Sequence, residues 1–253
     1  MENFGPIFII VQSLFESFPF SSSTHIIFLE NILKKFKKVY TGKNSWEDFG
    51  NLATFFALLP IYFNIFFNLN NFIQAFLWVF IVDLITSLGY FLVKPKLRIV
   101  PIYCGLLITS FLLYSLNFKI SYIKLNFITK AIFLGFLQVL AFTPGLSRLA
   151  ITFTFLKFTG FHTFESWYFS WLGMMPLMFV RGAYGGFNLL NNKESIFKIL
   201  VMLIISSILA YYSLGLMLYI FEFNYKYLYI YPLVMVTVWL IWKNYSKKTL
   251  LKK

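Results

Sequence analysis

Long apolar runs separated by short, lysine-bearing connections dominate the chain. Six stretches approach the roughly 20 apolar residues that a bilayer crossing requires: residues 49–68, 73–93, 99–117, 164–186, 196–222 and 226–243. They predict transmembrane helices. Two further apolar regions, 4–33 and 129–160, are interrupted near the middle, at Pro19-Phe20-Ser21-Ser22 and at Pro144-Gly145-Leu146-Ser147-Arg148. Each half is too short to cross comfortably, so both regions predict re-entrant helical hairpins. Broken backbone at membrane depth is tolerated only where it is buried in protein or lines a wet cavity.

The two interruptions resemble each other. Gln12 precedes Ser21 by nine residues and Gln138 precedes Ser147 by nine (21 − 12 and 147 − 138), with Leu14 and Leu140 in the same register. The offset of 126 residues (138 − 12) is close to half the chain. The pattern predicts one polytopic domain over 1–253, built as two repeats, about 1–126 and 127–253, each a broken hairpin followed by three spans. An odd number of crossings per repeat turns the second upside down. The expected fold is therefore an all-α integral membrane protein with an inverted-topology repeat, six transmembrane helices and two re-entrant hairpins, a layout that builds polar sites near the midplane.

Composition agrees. Hydrophobic residues make up 59% of the 253 and charged residues 12%, about half the charged share of a soluble domain. The net charge of +13 does not indicate nucleic acid, because the basic residues gather between apolar spans rather than among aromatics on one polar surface. Threading the spans puts Lys34, Lys35, Lys37, Lys38, Lys43, Lys94, Lys96, Arg98, Lys193, Lys198, Lys243 and the C-terminal lysines on one side. Lys119, Lys124, Lys130 and Lys226 fall on the other. The richer side, with both termini, is expected in the cytoplasm. Cys104 is the single cysteine, which excludes an internal disulfide and a cysteine metal site. No lysine or arginine precedes the first apolar run, which argues against a cleaved signal peptide.

Ionisable groups at bilayer depth cost roughly 2.5–3.5 kcal/mol on insertion scales, so each is a functional candidate. Glu16 lies four residues after Gln12, on one face of a helical turn. Ser21 and Ser22 stand where the next helix should begin and can cap it, and His25 is expected on the same face as Ser22. In the second interruption Pro144-Gly145 makes a turn, Ser147 is the expected N-cap, and Arg148 and Thr152 lie one turn apart. A helix N-terminus beside a guanidinium suits an anion of phosphate shape. Bringing both breaks together gives a carboxylate, hydroxyls, an imidazole and an arginine, a set suited to phosphoryl transfer. Asp83 and Arg181 also lie within spans; structural roles are expected for both, with Arg181 snorkelling to the interface. His162 is expected in a loop.

The two stretches resemble the signatures of the undecaprenyl-diphosphate phosphatase family, the bacitracin-resistance membrane phosphatases. The first is Gln12, Glu16, Pro19, Ser21-Ser22 and His25; the second is Pro144-Gly145-Leu146-Ser147-Arg148-Leu149, then Thr152. Trp46-Glu47 and Phe169-Ser170-Trp171-Leu172 leading to Pro176 resemble further family segments, so the likeness covers nearly the whole chain. It implies a hydrolase that removes the terminal phosphate of a C55 isoprenyl diphosphate and recycles the lipid carrier of cell-wall synthesis. It implies a divalent cation, Mg2+ or Ca2+, handled by Glu16 with Gln12, and a multi-pass protein of the bacterial inner membrane whose cavity opens to the periplasm. A homodimer is the assembly to look for. By the same resemblance Glu16, Ser22, His25 and Arg148 are the catalytic candidates, and Ser21, Gly145, Ser147, Arg148 and Thr152 the diphosphate-binding ones. The nucleophile is left open between water, Ser22 and His25. Departures from the family pattern are Gln12 in place of a second carboxylate, Leu149 in place of a serine, Ala150-Ile151 in place of Gly-Ala, and Ser23-Thr24 ahead of His25. Two alternatives fit the same layout: a polyprenyl-phosphate flippase, which needs the cationic clamp but no base, and a divergent copy that binds without hydrolysing.

Overall fold

A computed structural model describes residues 5–35, 43–63, 69–97, 99–118, 122–223 and 225–250. Among them the chain is all helical: α1 Ile7–Glu16, α2 Ser22–Lys35, α3 Lys43–Tyr62, α4 Leu69–Leu97, α5 Ile102–Ser115, α6 Phe127–Leu140, α7 Arg148–Phe158, α8 Thr163–Leu172, α9 Met175–Asn191, α10 Ile196–Phe223 and α11 Ile230–Leu250. The lysine and arginine positions Lys37-Lys38, Arg98, Lys119 and Lys252-Lys253 lie outside the described residues, as does the end of the expected 49–68 span.

Among the described residues three segments are long and apolar enough to cross a membrane: Phe72–Val93, Ile196–Phe223 and Tyr225–Lys243. The outward faces carry the apolar side chains: Phe76, Phe80, Leu84, Leu88 and Phe91 of α4 are all exposed, as are Phe197, Leu200, Ile204 and Ile208 of α10. The interior holds hydroxyls instead, including Ser13, Thr54, Thr86, Thr109 and Ser170. Several donate to the carbonyl one turn back, as Thr86 does to Val82 at 2.8 Å and Ser170 to Ser166 at 2.7 Å, which satisfies them without water. Greasy outside and hydroxyl-bearing inside is the arrangement of an integral membrane protein.

Both expected interruptions are present. Helix α1 ends at Glu16 and α2 begins at Ser22; α6 ends at Leu140 and α7 begins at Arg148. The span expected over 164–186 is not one helix. Pro176 has no N–H to offer the carbonyl one turn back, and the chain breaks at Gly173-Met174 between α8 and α9. At the break the Gly173 carbonyl accepts from Gln138 Nε2 of α6 at 2.9 Å. Helix α5 is 14 residues long, a rise of about 21 Å, less than the roughly 30 Å hydrocarbon core. His162 lies just before α8, where its backbone N–H donates to Glu165 Oε2 at 2.9 Å.

The packing places the breaks. Helix α4 lies along α6 and α1 along α10, while α3 faces α9 and α5 faces α11. The core between them is aromatic: Trp78 donates to the Phe169 carbonyl at 3.1 Å and Tyr62 to that of Tyr168 at 2.6 Å, with Trp167, Trp171 and Phe153 fully buried around them.

Candidate functional site

The first break is organised around one carboxylate oxygen. Glu16 ends α1 and Gln12 sits one turn earlier; Gln12 Nε2 donates to Glu16 Oε2 at 2.5 Å. Ser22 opens α2 and its hydroxyl donates to the same Oε2, also at 2.5 Å. Neither bond uses Glu16 Oε1. Gln12 is 3% exposed, and its Oε1 is buried without a hydrogen-bond partner. It fits because α3 carries glycine opposite: a Cβ on Gly50 would stand 2.8 Å from Gln12 Cβ. Ser21 adopts a φ of 48°, uncommon for a residue with a side chain; its hydroxyl lies 3.0 Å from that of Ser23.

The second break is held by α5. Gly145 has a φ of 86°, and a Cβ there would lie 2.1 Å from the Ile102 carbonyl oxygen. Thr109 of α5 donates to the Gly145 carbonyl at 3.2 Å and accepts from the Ser147 N–H at 2.9 Å. Ser147 then caps α7, its Oγ accepting from the Ala150 N–H at 3.3 Å. Arg148 follows as the first residue of α7. Its Nε is buried with no hydrogen-bond partner, and the charges that act on it are Glu16, Arg181 and Asp83. Gly145→Ala is expected to combine left-handed backbone strain, roughly 1–3 kcal/mol, with a clash against the α5 backbone. A thermal scan of the purified variant should show a clearly lowered unfolding midpoint, whereas Gly215→Ala, with nothing near its would-be Cβ, should not.

The two breaks meet on one cavity of about 770 Å³. Gln12, Glu16, Ser21 and Ser22 line it from the first break, and Ser147 and Arg148 from the second. Three sequence candidates lie elsewhere. His25 is not on the cavity wall: Ser23 and Ile27, one turn apart, face it, and His25 is about 200° round the helix from Ser23. Its ring stacks on Phe15 with centroids 3.7 Å apart, and Nε2 lies 2.7 Å from the Tyr231 hydroxyl. Thr152 is fully buried and donates to the Arg148 carbonyl at 2.9 Å. Gly145 shapes the turn behind the wall rather than the wall itself.

The structure adds residues that the sequence reading treated as structural or passed over. Arg181 does not snorkel away; it lines the cavity, donating from Nε to Asp48 Oδ1 at 2.5 Å, with Nη2 3.5 Å from Glu47 Oε1. Asp48 and Glu47 line it too. The glycines at 182 and 185 were the readable signal: a Cβ on either would stand 2.5 Å from a backbone nitrogen of α3, so helix α9 presses on α3 and delivers Arg181 to these carboxylates. Asp83 is not on the wall, and its Oδ2 is buried without a partner.

Among the described residues no group of three His, Cys, Asp or Glu side chains stands close enough to hold a metal alone. The cleft brings together a guanidinium whose Nε lacks a hydrogen-bond partner, a capped helix N-terminus, carboxylates and hydroxyls. A family model described as bacitracin resistance protein BacA matches residues 7–238, a range that holds every cavity-lining residue named above.

Proposed function

The chain belongs to the bacitracin-resistance, undecaprenyl-diphosphate phosphatase family, and from that premise we propose that it cleaves undecaprenyl diphosphate to undecaprenyl phosphate and inorganic phosphate, recycling a lipid carrier. One observation carries the reading: Glu16 and Arg148, 132 residues apart (148 − 16), line the same cavity. Arg148 and the N-terminus of α7, with Ser147, receive the diphosphate. Ser22 attacks the terminal phosphorus while Glu16 takes its proton; the P–O bond to the lipid phosphate breaks and undecaprenyl phosphate leaves. Glu16 passes that proton to the departing lipid phosphate; water then attacks the phosphoserine, Glu16 takes the water's proton and returns it to Ser22 Oγ as the serine P–O bond breaks, and phosphate departs. The Ser22–Glu16 hydrogen bond supports Ser22 in this role.

A divalent cation fits the donor set. Gln12 Oε1 and Glu16 Oε1 are oxygens without protein partners, the hard ligands Mg2+ or Ca2+ prefer, and substrate phosphate oxygens would complete the shell. Three carboxylates and two arginines line the cavity, so a bound dication would offset the negative charge that a diphosphate adds. Gln12 and Glu16 would hold it.

The fold we propose for this chemistry is the inverted repeat, with α1–α2 and α6–α7 as re-entrant hairpins. The reciprocal packing of α4 on α6 and α1 on α10 supports it. So do lengths of 10, 14, 14 and 11 residues, each too short for a crossing. Sidedness needs a choice. The lining residues Glu47 and Asp48 sit near the start of α3 and Ser87 and Tyr90 late in α4, while Arg181, midway along α9, reaches Asp48. Those are the lysine-rich ends, so a periplasmic cavity and a cytoplasmic lysine-rich side exclude each other. We keep the periplasmic cavity in the inner membrane, because cations at the rim of an anion site steer substrate and need no topological cause. In a Cys104→Ser background in intact cells, Lys193→Cys should then react with an impermeant maleimide and Lys226→Cys should not. The opposite pattern puts the cavity in the cytoplasm.

The test of the function is phosphate release by the purified protein from C55 diphosphate with Mg2+. Release supports hydrolysis. Binding without release supports a carrier or a non-hydrolysing copy.

A further inference from the structure

Two guanidiniums converge on one cavity, and only Arg148 belongs to the motif-bearing breaks. Arg181 comes from α9, and its side chain is 43% exposed against 16% and 19% for its partners Glu47 and Asp48. It is open to the cavity on one side and held on the other. Asp48 engages Nε and Glu47 approaches Nη2; neither contact uses Nη1. A guanidinium has five donors in a rigid fork, so it can keep a carboxylate on one edge and offer the other to an anion. The charge of Arg181 acts on Arg148, and Glu16 acts on both. Two like charges brought together within a membrane protein repel, and the anion that relieves both is one with charge at two centres.

We infer that Arg181 is a second phosphate-binding arm that makes the cavity prefer a diphosphate to a monophosphate, with Asp48 as the positioning residue that fixes its fork. The inference rests on the diphosphate reading of the cavity. In that arrangement Arg148 and the α7 N-terminus hold one phosphate and Arg181 the other, so the product, left with one phosphate, loses one of its two arms and departs. The close approach of α9 to α3 at Gly182 and Gly185 sets Arg181 at its station before substrate arrives, which lowers the ordering cost of binding.

The experiment measures binding of two detergent-soluble probes to the purified full-length protein: a C15 isoprenyl methylenediphosphonate, which cannot be hydrolysed, and the C15 monophosphate. The wild type should bind the diphosphonate at least about tenfold more tightly, as expected where a charge-assisted contact is gained. Arg181→Gln should remove most of that preference while changing the monophosphate Kd by less than about threefold. Arg181→Lys, a point charge without the fork, should fall between. The double variant Asp48→Asn/Arg181→Gln, which leaves less unpaired carboxylate, should match Arg181→Gln and guards against loss of fold. Equal weakening of both probes, an unchanged preference, or no preference in the wild type overturns the inference. Wild-type preference without phosphate release sinks hydrolysis and leaves the inference standing; release with the preference intact in Arg181→Gln sinks the inference alone.

Discussion

Glu16→Gln should lower phosphate release from C55 diphosphate by about 10²–10⁴-fold, the usual worth of a positioned general base, with the fold retained. The substitution keeps the side chain's size and an oxygen that can still accept from Ser22, so the geometry at the start of α2 survives. What it removes is the negative charge and the proton-accepting capacity at the one atom on which Gln12 and Ser22 converge. Steady-state release by the purified variant, beside a thermal scan showing an unshifted midpoint, checks both halves. Activity within a fewfold of wild type would remove Glu16 from the reaction.

Arg148→Ala is the second large effect, about 10²–10³-fold on kcat/KM, the scale for losing a preorganised donor to a developing charge. Arg148 is placed by a chain of local causes. Gly145 takes the left-handed turn, Thr109 ties that turn to α5, Ser147 caps α7, and the arginine emerges at its first position with Nε buried and unpaired. Arg148→Lys should recover only part of the loss, since an ammonium cannot bind bidentately. Because Asp83 and Glu16 both act on Arg148, its removal leaves buried charge less compensated. The thermal midpoint is therefore expected to fall modestly, and full recovery of activity by lysine would contradict the bidentate role.

The two breaks were legible in the sequence because proline and clustered hydroxyls inside apolar runs are local signals. Glu16, Ser22, Ser147 and Arg148 could be assigned to one cavity because breaks at membrane depth have few places to go. The residues that escaped depend on tertiary placement. Arg181 meets Asp48 across 133 positions, and nothing near either side chain announces the other; only the small residues at 182 and 185 hint at a helix pressing close. His25 was expected to share a face with Ser22, but α2 turns Ser23 and Ile27 to the cavity and leaves His25 for Tyr231. The break at Gly173-Met174 was visible as Pro176, yet an unbroken apolar run of the right length outweighed it. The Gly173 carbonyl at that break is met by Gln138, a partner no local pattern could name.

The central claim is that the two breaks act as one unit on one diphosphate. A double-mutant cycle of Glu16→Gln and Arg148→Ala, read as kcat/KM for phosphate release, measures it most directly. Groups that serve the same transition state together lose little more when both are removed than when the more damaging one is removed alone. A double variant no more than about tenfold below the worse single variant is the predicted result. Losses that multiply across the two sites would mean that the acid and the guanidinium work apart, and the shared cavity would not be the active site.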